Sequence, residues 1–111
     1  MEILKENGNK LILCCSAGFD NVPLEECREA GIRVARVPSY SPSSIAEYAI
    51  SSMMALAKNL QRSYEQSKKA NFNIAGLQCI LIEDKTVGVI GTGLIGKMFV
   101  QKVAGLCKEV I

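Results

Sequence analysis

Histidine is absent from all 111 residues. The side chain that most often moves protons near neutral pH is therefore missing from every candidate site in the chain. Cysteine motifs are missing too. Five cysteines stand at positions 14, 15, 27, 79 and 107, an odd number with no C-x-x-C among them. The familiar zinc and dithiol spacings are excluded, so no metal site is expected. Cys14 and Cys15 are adjacent in an apolar run and would point to opposite faces of a strand. The simplest reading is reduced, mostly buried thiols and a cytoplasmic location. No long hydrophobic run occurs. The most apolar helical stretch, residues 45–60, is interrupted by Glu47, Ser51, Ser52, Lys58 and Asn59, which excludes a membrane span. Residues 1–10 are polar and do not read as a signal peptide. Charge of one sign is nowhere concentrated. Thirteen basic and 11 acidic residues leave a net charge of +2, and the one tight pair, Lys68 and Lys69, reads as a solvated helix end. Neither a nucleic acid nor a membrane is an expected partner.

What is present is ordinary for a globular chain: 49% hydrophobic and 22% charged residues, enough for one modest core. Residues 1–9 look like the tail of a helix. Residues 10–15 (KLILCC) form an apolar run of the kind that builds a parallel strand buried on both faces. Residues 16–21 (SAGFDN) make a turn, with Asp20 and Asn21 as candidate caps for a helix that has Pro23 in its first turn and stops at Gly31. Residues 32–37 (IRVARV) are a second strand, completing a βαβ unit. After the loop at residues 38–42 a long helix is expected from near Ser43. Ser44 and Glu47 have capping-box spacing, which makes Glu47 a helix cap rather than a catalytic acid. Ile45, Ala49, Met53, Leu56, Leu60 and Tyr64 recur at helical spacing, and Met53 and Met54 read as core or interface filler. Residues 71–78 are irregular and suit a passage between domains. Residues 86–90 (TVGVI) are a third strand. A helix over 97–106 and a fourth strand beginning at Glu109 follow.

Between that third strand and its helix lies GTGLIG, residues 91–96, which is G-x-G-x-x-G in the strand–turn–helix context it requires. Gly91 permits the tight turn, Gly93 lets a pyrophosphate approach the backbone, and Gly96 lets the helix pack on the strand. The amides around Leu94 and Ile95 would bind phosphate oxygens with help from the helix dipole. Residues 91–97 also fit G-x-x-x-x-G-K, most of a P-loop. Met98 stands where a P-loop has the hydroxyl that holds magnesium, so the nucleoside-triphosphate reading is the weaker one. The acidic residue that reads the ribose 2′-hydroxyl belongs about 20 residues past the glycines, beyond Ile111, so the choice between NAD and NADP stays open.

Three separated runs, SAGFDNV at 16–22, VPSYSP at 37–42 with AEYA at 46–49, and GTGLIG at 91–96, occur in an order that resembles the D-isomer-specific 2-hydroxyacid dehydrogenases, and within them the D-lactate dehydrogenase branch. The resemblance extends from about Leu4 to Ile111. It implies an α/β protein in which a partial flavodoxin-like substrate domain is joined by a long helix to the start of a Rossmann NAD-binding domain. The corresponding division is residues 1–42, 43–78 and 79–111. It implies NAD as cofactor, a small 2-keto or 2-hydroxy acid as substrate, hydride transfer between the two, and a homodimer with the long helix at the junction. It places Ala17 and Gly18 at the substrate carboxylate, through their backbone N–H groups, and Tyr40 at the substrate pocket. It places Ile45 beside the nicotinamide, and Gly91, Gly93, Leu94, Ile95 and Gly96 at the dinucleotide. Tyr40 taken alone would read as a packing residue. Cys15 stands where D-lactate-type members often carry a charged residue, and Pro23 replaces a frequent aspartate. The family's catalytic arginine, acid and histidine correspond to positions after Ile111, so no residue here inherits a catalytic role. The chain is therefore expected to be part of a longer enzyme, inactive by itself. The alternatives are a non-catalytic NAD(H)-binding regulatory protein and the remnant of a truncated gene.

Overall fold

A computed structural model describes residues 2–111, and its contacts divide the chain into two compact units, Met1–Tyr40 and Ser41–Ile111. The first unit begins with a short helix α1 (Glu2–Glu6), followed by β1 (Leu11–Cys14), α2 (Leu24–Glu29) and β2 (Arg33–Arg36). Strands β1 and β2 pair in parallel, from Leu11 opposite Arg33 to Cys14 opposite Arg36. A parallel pair needs a crossover, and α2 supplies it. The helix stops because Gly31 takes a left-handed φ of +69°. The Gly31 amide then donates to the Arg28 carbonyl at 3.1 Å and the Ile32 amide to the Cys27 carbonyl at 2.8 Å, the paired bonds of a Schellman motif. Cys27 and Ile32, the two ends of that motif, are the buried residues among those described in this unit.

Two expectations for this unit need correction. Asp20 and Asn21 do not cap α2: the N-cap is Pro23, with no side-chain cap bond. Its fixed φ of −74° sets the entry angle instead. The strand at 10–15 is not buried on both faces either. Burial alternates along β1, with Ile12 and Cys14 half-covered and Leu11 and Leu13 exposed. Among the described residues of this unit one face of the two-stranded sheet is uncovered.

The second unit contains α3 (Pro42–Ala57), α4 (Leu60–Lys68), a 3-10 turn at Ile82–Asp84, β3 (Thr86–Val87), α5 (Leu94–Val103) and β4 (Glu109–Val110). Strands β3 and β4 are parallel and α5 is their crossover, so this unit too is built on βαβ. The hydrogen bonding runs past the two-residue strands. The Ile111 amide donates to Val87 at 3.0 Å and the Val89 amide to Ile111 at 2.7 Å. Helices α3 and α5 pack directly on each other. Ala46 and Val103 are fully buried there, with Ala57 and Ile82 nearly so.

The helix expected to run unbroken to Tyr64 breaks at Asn59, whose φ of +51° is left-handed. Asparagine tolerates this conformation better than most residues. The Ala57 carbonyl and the side chains of Lys58 and Asn59 at the break find partners in the returning segment. The Ile80 amide donates to the Ala57 carbonyl at 2.8 Å, Lys58 Nζ to the Ile80 carbonyl at 2.9 Å, and Asn59 Nδ2 to the Gln78 carbonyl at 2.8 Å. Arg62 Nη1 donates to the Gly76 carbonyl at 2.9 Å, so the irregular passage is tied down along its length. The large apolar stripe at helical spacing is not the buried face. Leu56 is 81% and Tyr64 63% exposed, and the covered line runs through Ala46 and Ala57, eleven residues or three turns apart.

Cores this small leave much apolar surface in water. The 111-residue chain prepared alone is expected to melt over a broad range and to bind a hydrophobic dye before it melts. A sharp two-state melt of the monomer, monitored by circular dichroism and calorimetry together, would contradict this.

Candidate functional site

Each unit presents a turn of exposed backbone at the carboxyl end of its first strand, where ligands of α/β sheets bind. In the first unit the turn is Ser16-Ala17-Gly18-Phe19, between β1 and α2. Ser16 Oγ donates to the Gly18 carbonyl at 2.8 Å. Arg36, the last residue of β2, donates from Nη1 to the Ala17 carbonyl at 2.8 Å and to the Pro38 carbonyl at 3.2 Å, and its guanidinium lies 5.0 Å from the Phe19 ring centroid. The carbonyl side of the turn is thus occupied. Among the described residues, the amides of Ala17 and Gly18 donate to nothing, which leaves two N–H groups for a ligand. Tyr40 closes this unit with its ring 64% exposed.

In the second unit the turn is 91–96. Gly91 has a φ of +93°, a conformation that a side chain would strain. A methyl group on Gly96 would sit 2.0 Å from the Gly91 carbonyl oxygen, so only glycine lets α5 start this close to the strand exit. Gly93 differs: a methyl group there would meet nothing within 4 Å. It is the N-cap of α5. The Lys97 amide donates to the Gly93 carbonyl at 2.9 Å, while those of Leu94, Ile95 and Gly96 donate to no described group. The helix was expected over 97–106. It instead spans Leu94–Val103, so Gly96 lies inside its first turn and the free amides belong to the helix itself. Such a cradle suits a pyrophosphate: close backbone approach, unpaired donors and the positive end of a helix. Ile45, 49% exposed in the first turn of α3, belongs to this unit as well.

Glu47 is not the cap that its spacing suggests. Helix α3 starts at Pro42, in the N1 position, and its N-cap Ser41 makes no side-chain cap bond. Glu47 therefore falls in the second turn, where Oε1 accepts from Lys102 Nζ of α5 at 2.7 Å and from Ser43 Oγ at 3.3 Å. The Lys102 hydrogen bond and charge hold the Glu47 carboxyl below its ordinary value of 4.5. The pair is partly exposed, and its weight lies in linking the two packed helices. The sequence reading missed it because the partners lie 55 positions apart. Arg36 was missed as well; its signal was a cation at the end of a strand beside the turn. Among the described residues no cluster of ligating side chains could hold a metal ion, and no helix is long and apolar enough to cross a membrane.

Two βαβ units, one ending its first strand in a dinucleotide-type glycine turn, define an α/β nucleotide-binding protein. Comparison with known families narrows this. Residues 1–80 match the catalytic-domain model, and residues 50–111 the NAD-binding-domain model, of the D-isomer specific 2-hydroxyacid dehydrogenases, and the chain belongs to that family. It is 43% identical over 105 residues to D-lactate dehydrogenase of Escherichia coli, covering 95% of this chain and 32% of that protein. The pyruvate reductase of Chlamydomonas reinhardtii superposes with a TM-score of 0.87 at 41% identity, over 97% of this chain and 32% of that one. D-Lactate dehydrogenase from Aquifex aeolicus, solved with NAD and lactic acid, superposes with a TM-score of 0.76 at 37% identity, over 90% of this chain and 31% of that one. The chain thus spans about a third of the length of the relatives it matches.

Two outcomes follow from this geometry. Gly96→Ala overpacks the turn at a cost of about 1–3 kcal/mol, so amide exchange in α5 should accelerate roughly tenfold or more, whereas Gly93→Ala should leave it unchanged. Equal exchange in the two variants would show that the close approach is not limiting. For Glu47, a lowered folded-state value means that the pairing contributes above the ordinary carboxylate range and is lost as pH falls through the lowered value. A carbon-detected NMR titration should find the Glu47 midpoint below 4.5, and Lys102→Met should move it upward. A midpoint that does not respond to Lys102→Met would remove the pair from the account.

Proposed function

We propose that the protein carrying this sequence transfers a hydride between NAD(H) and a small 2-keto or 2-hydroxy acid, D-lactate and pyruvate being the first candidates. The observation that carries this is the presence, in one member of the family, of two turns with unpaired amides, each suited to a different anion. Gly91, Gly93, Leu94, Ile95 and Gly96 are assigned to the dinucleotide, the last three donating backbone N–H groups to its phosphates. Ala17 and Gly18 are assigned to the substrate carboxylate, through backbone N–H groups, and Tyr40 to the substrate pocket. Ile45 offers an apolar surface to the nicotinamide. When bound, the cofactor accepts or donates the hydride. The residues of this chain bind and orient, and none is assigned proton transfer. Residues 1–42 are read as substrate domain, 43–78 as linking helix and passage, and 79–111 as the start of the dinucleotide domain.

The exposed aromatic and leucine side chains of α3 and α4, among them Tyr48, Leu56 and Tyr64, support a homodimer built on these helices. A cytoplasmic setting accords with five cysteines and no disulfide among the described residues. A second reading is nucleotide binding without turnover, which the unpaired amides of the turn at 91–96 would serve equally well.

The test is fluorescence titration with NADH and an absorbance assay with pyruvate and related 2-keto acids, on the protein at its native length. NADH binding that Gly93→Ala weakens at least roughly tenfold, together with NADH oxidation by a 2-keto acid, is the expected result. Binding without oxidation of NADH by any 2-keto acid leaves the regulatory reading, and no NADH binding ends both.

A further inference from the structure

The Ala17 carbonyl and the Gly18 N–H belong to one peptide unit, and no peptide bond in the described chain is cis. In a trans peptide the N–H points away from its own carbonyl. Arg36 donates into that carbonyl at 2.8 Å, so the guanidinium fixes the plane of the peptide and with it the direction of the Gly18 N–H. It also polarises the peptide, because charge drawn to the carbonyl oxygen leaves the amide hydrogen more positive. The arrangement is built rather than incidental. The same Nη1 reaches the Pro38 carbonyl at 3.2 Å, the Phe19 ring lies 5.0 Å from the guanidinium carbon, and Ser16 Oγ holds the next peptide by its Gly18 carbonyl at 2.8 Å. Three supports on successive residues hold a turn whose amides at 17 and 18 stay unpaired.

We propose that Arg36 is a positioning residue for anion recognition: it aims and strengthens the Gly18 N–H as a donor to the carboxylate of a 2-keto acid, without touching the substrate. The inference rests on the assignment of Ala17 and Gly18 to the substrate made above. The charge stands on the far side of the peptide from the ligand. It therefore favours an anion over a neutral analogue without forming an ion pair that would slow release. Lysine would not replace it fully, because an ammonium is a compact, strongly hydrated point charge and lacks the flat guanidinium that lies by the Phe19 ring while one of its nitrogens donates to the carbonyls.

The experiment uses the protein at native length and the unreactive carboxylate oxamate, with NADH titrated separately. Arg36→Met should weaken oxamate roughly tenfold and leave NADH affinity unchanged, with Arg36→Lys between the two. The Gly18 amide proton resonance should move upfield in both variants relative to the unaltered protein. A general loss of structure would not produce that pattern, because it would weaken NADH as well. Should Arg36→Met fail to fold, Arg36→Lys carries the same comparison. Unchanged oxamate affinity and an unmoved Gly18 resonance in the variants overturn the role of Arg36. An unaltered protein that binds NADH but not oxamate overturns it together with the carboxylate site. One that binds neither overturns the proposed function itself.

Discussion

Helix α5 begins so close to the strand exit that a Cβ on Gly96 would lie 2.0 Å from the Gly91 carbonyl oxygen, and the second unit is arranged around that approach. The turn at 91–96 must be tight, the helix must start at once, and the body of the helix must be held against something rigid. Helix α3 meets the last demand. Helix α5 packs on α3, its Val103 is completely buried, and the Glu47–Lys102 pair joins the two helices. Close packing transmits displacement because interiors have little free volume. A shift of α3 would therefore be felt at α5, and so at the amides that α5 offers at its start.

Much of this was legible in the sequence, for identifiable reasons. The glycine turn could be read because three glycines at fixed offsets answer a local backbone demand, and local demands leave local signatures. The stop at Gly31 was legible on the same ground. The helix break at Asn59 was not. Apolar spacing runs straight through it, and what pays for the lost helical bonds, the carbonyls and amides of residues 76–80, is remote in sequence. Glu47 misled because S-x-x-E is a local pattern, whereas its partner is 55 residues away. The uncovered faces of β1, α3 and α4 were hidden for a related reason: periodicity reports which residues are apolar, not whether anything lies over them.

The two candidate turns, one in each unit, share a logic. In both, the ligand-facing groups are backbone amides, and side chains act one step back. Gly91 and Gly96 set the course of the turn at 91–96, and Gly96 leaves its own amide unpaired as well. Arg36 occupies the Ala17 carbonyl, so that the opposite edge of that peptide, the Gly18 N–H, is left over, and Ser16 holds the peptide that follows. Backbone donors suit anions because they are fixed in direction by the fold and lose little conformational freedom on binding.

The same design sets what substitution can do. A ligand held by amides is insensitive to the identity of Ala17, Leu94 or Ile95 as long as the backbone keeps its course. The sensitive positions are those that set the course: Gly91 with its φ of +93°, Gly96 against the Gly91 carbonyl, and Arg36 on the Ala17 carbonyl. Of these, only Arg36 carries a charge. It is therefore the one position where the fold's geometry and the electrostatics of an anionic ligand can be varied separately, by exchanging guanidinium for ammonium or for an apolar chain of similar length.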